Sequence, residues 1–172
     1  MDPLLADRAL LRERLLQALS AAQALEEVDP TRVAIVGYCF GGLCALDLAR
    51  VSPPGLRCAI SFHGLLSPPP YEVSTPIQTK LLLLHGWEDP MVPPAEVVAG
   101  LKEFSDVGAT WELHAYGHAM HAFTFKGANF PERGIAHNPV ADRRSWSAAS
   151  IFLRECLVDG DGTPHPENEA LR

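Results

Sequence analysis

Apolar positions along the chain follow two different periods, and the switches between them mark alternating helices and strands. Over residues 4–27, Leu11, Leu15, Ala18, Ala22 and Leu25 recur at steps of four and three, while Arg12, Glu13 and Arg14 fall off that stripe. This spacing predicts an amphipathic helix, ended by Asp29-Pro30. Residues 33–36, Val-Ala-Ile-Val, form a continuous apolar run, the pattern of a strand buried on both faces. Residues 41–50 predict a helix with Leu43, Leu46 and Ala49 inward, and residues 57–62 a second strand. The segment 65–79 carries Pro68-Pro69-Pro70 and Pro76, which excludes a helix and predicts a surface loop. Four leucines at 81–84 predict a third strand. Residues 95–104 predict a helix entered through Pro93-Pro94, and residues 110–116 a fourth strand. A long loop over 117–139 and a closing helix over 141–157 complete a single domain of residues 1–158. The remainder, 159–172, is a polar tail expected to fray.

Strands alternating with helices define an α/β protein with a mostly parallel sheet, right-handed crossovers and helices on both faces. Sites in such sheets lie at the C-terminal ends of the strands, so the residues following Val36, Phe62, Leu84 and Tyr116 are the places to search.

Composition narrows the chemistry. The 172 residues carry 14 Lys+Arg against 21 Asp+Glu, a formal charge of −7, which argues against binding a phosphate backbone. Apolar residues make up 47% and no run approaches a bilayer span, so disorder and membrane insertion are both disfavoured. The N-terminus MDPLLADRALLRER is charged throughout and has no secretory h-region, and the four cysteines form no CxxC pair. A reducing, cytoplasmic setting is expected. Cys44, Cys58 and Cys156 are expected as buried small apolar residues.

The first strand runs into Gly37-Tyr38-Cys39-Phe40-Gly41-Gly42. A small-x-nucleophile-x-small sequence between strand and helix is a nucleophile elbow, here with cysteine in place of serine. Gly37 and Gly41 would let strand and helix approach. The helix N-terminus would favour the Cys39 thiolate, and the Phe40 N–H would face an oxyanion. A glycine-rich turn around a buried cysteine gives the same pattern. After the third strand, Asp89 stands where a triad acid belongs, although Asp before Pro is also a common turn residue; Glu88 beside it ranks below. After the fourth strand come His118 and His121, with His114 read as a packing residue inside the strand. A metal site built on these three histidines is disfavoured, because two lie on an irregular loop without an accompanying carboxylate pattern. The order Cys39, Asp89, histidine, each after a strand, is that of an α/β-hydrolase triad. Trp87, Phe123 and Phe125 could line an acyl pocket, and Lys126 or Arg133 could meet a substrate carboxylate. Core packing and solvated loop charge are the commoner roles.

Gly37-Tyr38-Cys39-Phe40-Gly41-Gly42, Leu83-Leu84-His85-Gly86 with Asp89 and Val92-Pro93, His121-Ala122-Phe123 and Asp142-Arg143-Arg144-Ser145-Trp146 together resemble the dienelactone hydrolase family over about residues 29–157. The resemblance implies a three-layer α/β-hydrolase-type fold. It makes Cys39 the nucleophile, Asp89 the orienting acid and, through His-Ala-Phe, His121 the base. It implies hydrolysis of small lactones or esters through an acyl-enzyme, with no metal or organic cofactor. Dienelactone, from chloroaromatic degradation, is the family's type substrate. The family usually has several strands before its nucleophile strand. They supply a second oxyanion N–H and a carboxylate that governs the cysteine's charge. One helix precedes Val33 here, so the fold is expected to be N-terminally truncated, with an unpaired sheet edge prone to form homo-oligomers or accept a strand from a partner. A non-catalytic remnant acting by association and a thiol redox sensor at Cys39 are the competing readings.

Overall fold

The computed structural model describes residues 3–159, and the expected tail beyond 159 lies outside them. Helix α1 (Pro3–Ala6) and helix α2 (Arg8–Gln23) stand where one helix over 4–27 was expected. Asp7 divides them, because its carboxylate accepts the Leu10 N–H at 2.9 Å and starts a new helix. The buried stripe of α2 also differs from the expected one. Leu11 and Leu19 are buried, whereas Ala18 is exposed and Leu25, past the helix end, is 56% exposed.

Strand β1 (Val33–Tyr38), helix α3 (Phe40–Arg50), strand β2 (Leu56–Phe62), strand β3 (Lys80–Gly86), helix α4 (Pro94–Asp106), strand β4 (Trp111–Tyr116) and helix α5 (Pro139–Arg154) follow in order. The four strands pair in the order β1-β2-β3-β4, all parallel. The closing helix ends earlier than expected, passing into a π-helical turn over Glu155–Asp159. The long loop contains a two-stranded hairpin, β5 (Asn129–Phe130) with β6 (Ile135–Ala136), that no apolar alternation announces.

Alternation along the central strands fills two cores. Ala59, Leu81 and Leu83 face α3 and α4, meeting Ala45, Leu46, Val97 and Phe104. Cys58, Ile60, Leu82 and Leu84 face the other way, toward Phe123, Ala149 and Phe152 of the following loop and α5. The result is the three-layer α/β arrangement, with α2 packed outside α3 through Leu19, Leu48 and Leu56. Among the described residues β1 pairs on one side only, and its Val36 and Tyr38 are 38% and 43% exposed. No helix among them is long and apolar enough to cross a membrane.

An ion network locks the helical layer. Asp47 and Arg50 of α3 are wholly buried. Asp47 receives Arg8 Nε of α2 at 2.6 Å and Arg50 Nη1 at 3.1 Å. Arg50 also grips Glu103 of α4 through two nitrogens at 2.8 Å each and lies over the Phe104 ring. Removing one member leaves buried charge uncompensated, which costs about 3–5 kcal/mol. Asp47→Ala is therefore expected to lower stability by that amount in urea titration, far more than Lys102→Ala on the exposed face of α4.

Candidate active site

The turn at Cys39 is dictated by backbone contact. A β-carbon on Gly37 would sit 1.8 Å from the Gly41 carbonyl oxygen, and one on Gly42 would sit 2.8 Å from the Gly64 α-carbon. These two glycines let α3 fold back against β1 and β2. Gly41, expected to share that role, has open space at its β-carbon position. The Cys39 N–H continues the β1–β2 ladder by donating to Phe62 O at 3.0 Å. The chain then reverses with Cys39 at φ 55°, a left-handed conformation that a non-glycine residue seldom adopts. The thiol is left exposed at the start of α3. Phe40 is the first helical residue, so its N–H lies outside the intrahelical ladder, beside Cys39.

Asp89 follows β3 and serves two ends at once. Its Oδ1 accepts the Met91 N–H at 2.9 Å, closing the Asp-Pro turn, and its Oδ2 meets His121 Nδ1 at 2.7 Å. The turn role and the acid geometry thus coexist in one side chain. Because an ionised carboxylate only accepts, Nδ1 carries a proton, and Nε2 faces Cys39 Sγ at 3.0 Å. Asp89 and His121 are both buried. Burial works against charge on His121, but the hydrogen bonds to Asp89 and Cys39 outweigh it and raise its pKa above 6.5.

The loop that carries His121 is held by the unforeseen hairpin. His121 N–H donates to Gly134 O at 2.9 Å, and His121 O accepts from Ala136 N at 3.2 Å. Gly134 has φ 70°, and a β-carbon there would strike the Pro90 ring, so the hairpin seats against the corner that follows Asp89. Pro131-Glu132-Arg133 before Gly134, a short turn ended by glycine, was the sequence signal for it.

Other candidates are dispersed. His118 is exposed and pairs with Glu88 at 2.8 Å, away from the Asp89–His121 pair. His114 is no packing residue: β4 is the last strand of the sheet, and the side chain is 42% exposed near Glu112. Among the described residues no cluster of His, Cys, Asp and Glu is arranged to hold a metal. Phe123 is core, Trp87 and Phe125 are exposed, and so are Lys126 and Arg133. Cys58 and Cys156 are buried, but Cys44 is only half-buried. The residue that sequence reasoning missed is His63. It directly follows Phe62, at one of the four strand ends marked for search. It is buried, its ring lies edge-on to His121 with centroids 5.1 Å apart, and burial lowers its pKa to about 4.

Cys39, Asp89 and His121, following the ends of β1, β3 and β4 of one parallel sheet, stand in the order and places of an α/β hydrolase fold. The chain belongs to the dienelactone hydrolase family, whose model matches residues 1–157. P91, a dienelactone hydrolase-like promiscuous phosphotriesterase from metagenomic libraries, superposes with a TM-score of 0.82 at 36% identity, over 89% of this chain and 64% of its own. The uncharacterized protein K02A2.1 of Caenorhabditis elegans is 35% identical over 152 residues, 86% of this chain and 95% of that protein. A carboxymethylenebutenolidase candidate from Saccharolobus solfataricus is 31% identical over 80% of this chain and 49% of its own. The chain thus spans nearly all of the nematode relative but about half of the archaeal one.

The buried imidazole of His63 makes the fold acid-sensitive. Its pKa falls from 6.5 in the unfolded chain to about 4 in the fold. Its neutral form therefore supports the fold fully above 6.5, and that support is lost as pH falls toward 4. Equilibrium unfolding is expected to show about 3 kcal/mol less stability from this group at pH 4 than at pH 7. His63→Gln should lack that component.

Proposed function

We infer that this chain hydrolyses small carboxylic esters or lactones through a Cys39–His121–Asp89 triad and an acyl-enzyme. The observation that carries the reading is the unbroken hydrogen-bonded chain from the exposed Cys39 Sγ through His121 to Asp89, at 3.0 and 2.7 Å. The family and the lactonase and carboxymethylenebutenolidase names of several relatives support the substrate class.

In this mechanism the Cys39 proton passes to His121 Nε2, and the thiolate attacks the carbonyl carbon. The Phe40 N–H receives the oxyanion. As the intermediate collapses, the bond from acyl carbon to alkoxy oxygen breaks and His121 protonates the leaving oxygen. From a lactone, that hydroxyl stays attached to the acyl group. Neutral His121 then takes a proton from water, which attacks the thioester, and Cys39 leaves protonated by His121. Asp89 holds the ring tautomer and stabilises the imidazolium. The reaction requires no metal or organic cofactor.

The test is turnover of p-nitrophenyl acetate, followed by a lactone panel and, in view of the likeness to P91, a phosphotriester. Cys39→Ala is expected to abolish turnover, and Asp89→Asn to lower kcat by up to about 10⁴-fold. Turnover retained in Cys39→Ala overturns the assignment. Deacylation needs neutral His121, so its rate should rise with pH across the His121 titration. Asp89 raises that pKa, so Asp89→Asn should shift the rise to lower pH.

The uncharged outer edge of β1 favours a second reading, in which the chain associates with another copy or with a strand-supplying partner. Light scattering should then show self-association that Val36→Lys reverses. A monomer that turns over substrate through Cys39 would dismiss this reading.

A further inference from the structure

We propose that His63 is a positioning residue for the base: its ring abuts the His121 imidazole and, through Thr124, ties the loop that carries His121 to the end of β2. The proposal rests on the hydrolytic reading of Cys39 and His121.

His63 is fixed from the backbone outward. Its N–H donates to Leu84 O at 2.8 Å, which anchors it to the neighbouring strand β3. Its φ is 39°, a conformation that costs a non-glycine residue free energy and persists only where the surroundings impose it. The ring meets three others: His121 at 5.1 Å and 67°, Phe123 at 5.2 Å and 78°, and Tyr38 at 6.0 Å and 54°. Its Nε2 lies 2.9 Å from Thr124 Oγ1. Thr124 stands three residues beyond His121, past Ala122 at φ 55°. The segment 121–124 is thus held through its backbone by Gly134, Ala136 and Asn138 of the hairpin and its exit, and through the Thr124 side chain by His63.

The chemistry of an imidazole suits this place. The ring lies beside a base that becomes positively charged in the reaction, so a cation here would oppose the imidazolium. His121 and His85 face His63 with like charge when protonated, and Asp89 with opposite charge. Burial keeps His63 neutral. A phenylalanine would fill the same space without the bond to Thr124, and that difference separates positioning from packing.

The experiment compares His63→Phe, Thr124→Val, their double variant and Thr124→Ser. Thr124→Val breaks the same bond from the loop side, at a half-buried position, and so serves if His63→Phe fails to fold. Each single variant is expected to lower kcat by about 10–100-fold with KM within about twofold, as misplacement of a base does. The double variant should be no worse than the worse single, and Thr124→Ser should restore the parent rate. Unchanged kcat in Thr124→Val, or single effects that multiply in the double variant, overturns the proposal. Alkylation of Cys39 by iodoacetamide at pH 7, followed by mass spectrometry, separates the two levels. If His121→Ala leaves that rate unchanged, His121 does not act on Cys39, and both the hydrolytic reading and this proposal fall. If His121→Ala slows alkylation while the His63 and Thr124 variants do not, this proposal alone falls.

Discussion

The Gly41 carbonyl lies against the α-carbon of Gly37, with no room for a single added carbon between them. That contact brings the start of α3 directly over the end of β1, and Cys39 takes a left-handed turn to make the reversal. The thiol is pushed outward as a consequence. A helix start, with its outward-facing amides, is left directly behind it. Relaxing this turn would lower local strain but would withdraw Cys39 from the position that His121 reaches.

The rest of the molecule keeps that turn from relaxing. The parallel register of the four strands holds their ends level, so Cys39, Asp89 and His121 emerge along one rim. The Asp47–Arg50 pair clamps α3 to α2 and α4, which fixes the helix whose first turn forms the site. Charge buried for that purpose adds orientation more than stability. The hairpin at β5 and β6 performs the matching service for His121, gripping its backbone through Gly134 and Ala136.

Much of this was readable from the chain itself. Continuous apolar runs located β1 and β3, because a run such as Leu81-Leu82-Leu83-Leu84, too short for a helix, fits a central strand buried on both faces. Cys39 and Asp89 could be nominated because each follows such a run, whereas His121 was preferred to His118 through the family's His-Ala-Phe element. What escaped the pattern is either local polar bonding or long-range contact. Asp7 divides the first helix by a local capping bond that apolar spacing does not register. Leu25 fits the helical stripe but falls past the helix end. The hairpin has two residues per strand, too few for any period, and His63 looks like any histidine until the fold sets it against His121. Gly41 and Gly42 are identical letters, and only the packing of Gly64 distinguishes the second as the one in close contact.

The contact of His121 with Cys39 and Asp89 also has a history within the chain's own synthesis. Cys39 and His121 are 82 residues apart, and Asp89 lies between them. At roughly 5–20 residues per second, Cys39 leaves the ribosome about 4–16 s before His121. The segment through the end of β3 can assemble while Cys39 still lacks its His121 partner. Only after β4 and the loop to Gly134 have docked does His121 reach both partners. The hydrogen-bonded chain from Cys39 through His121 to Asp89 is therefore closed late, after most of the sheet has been made.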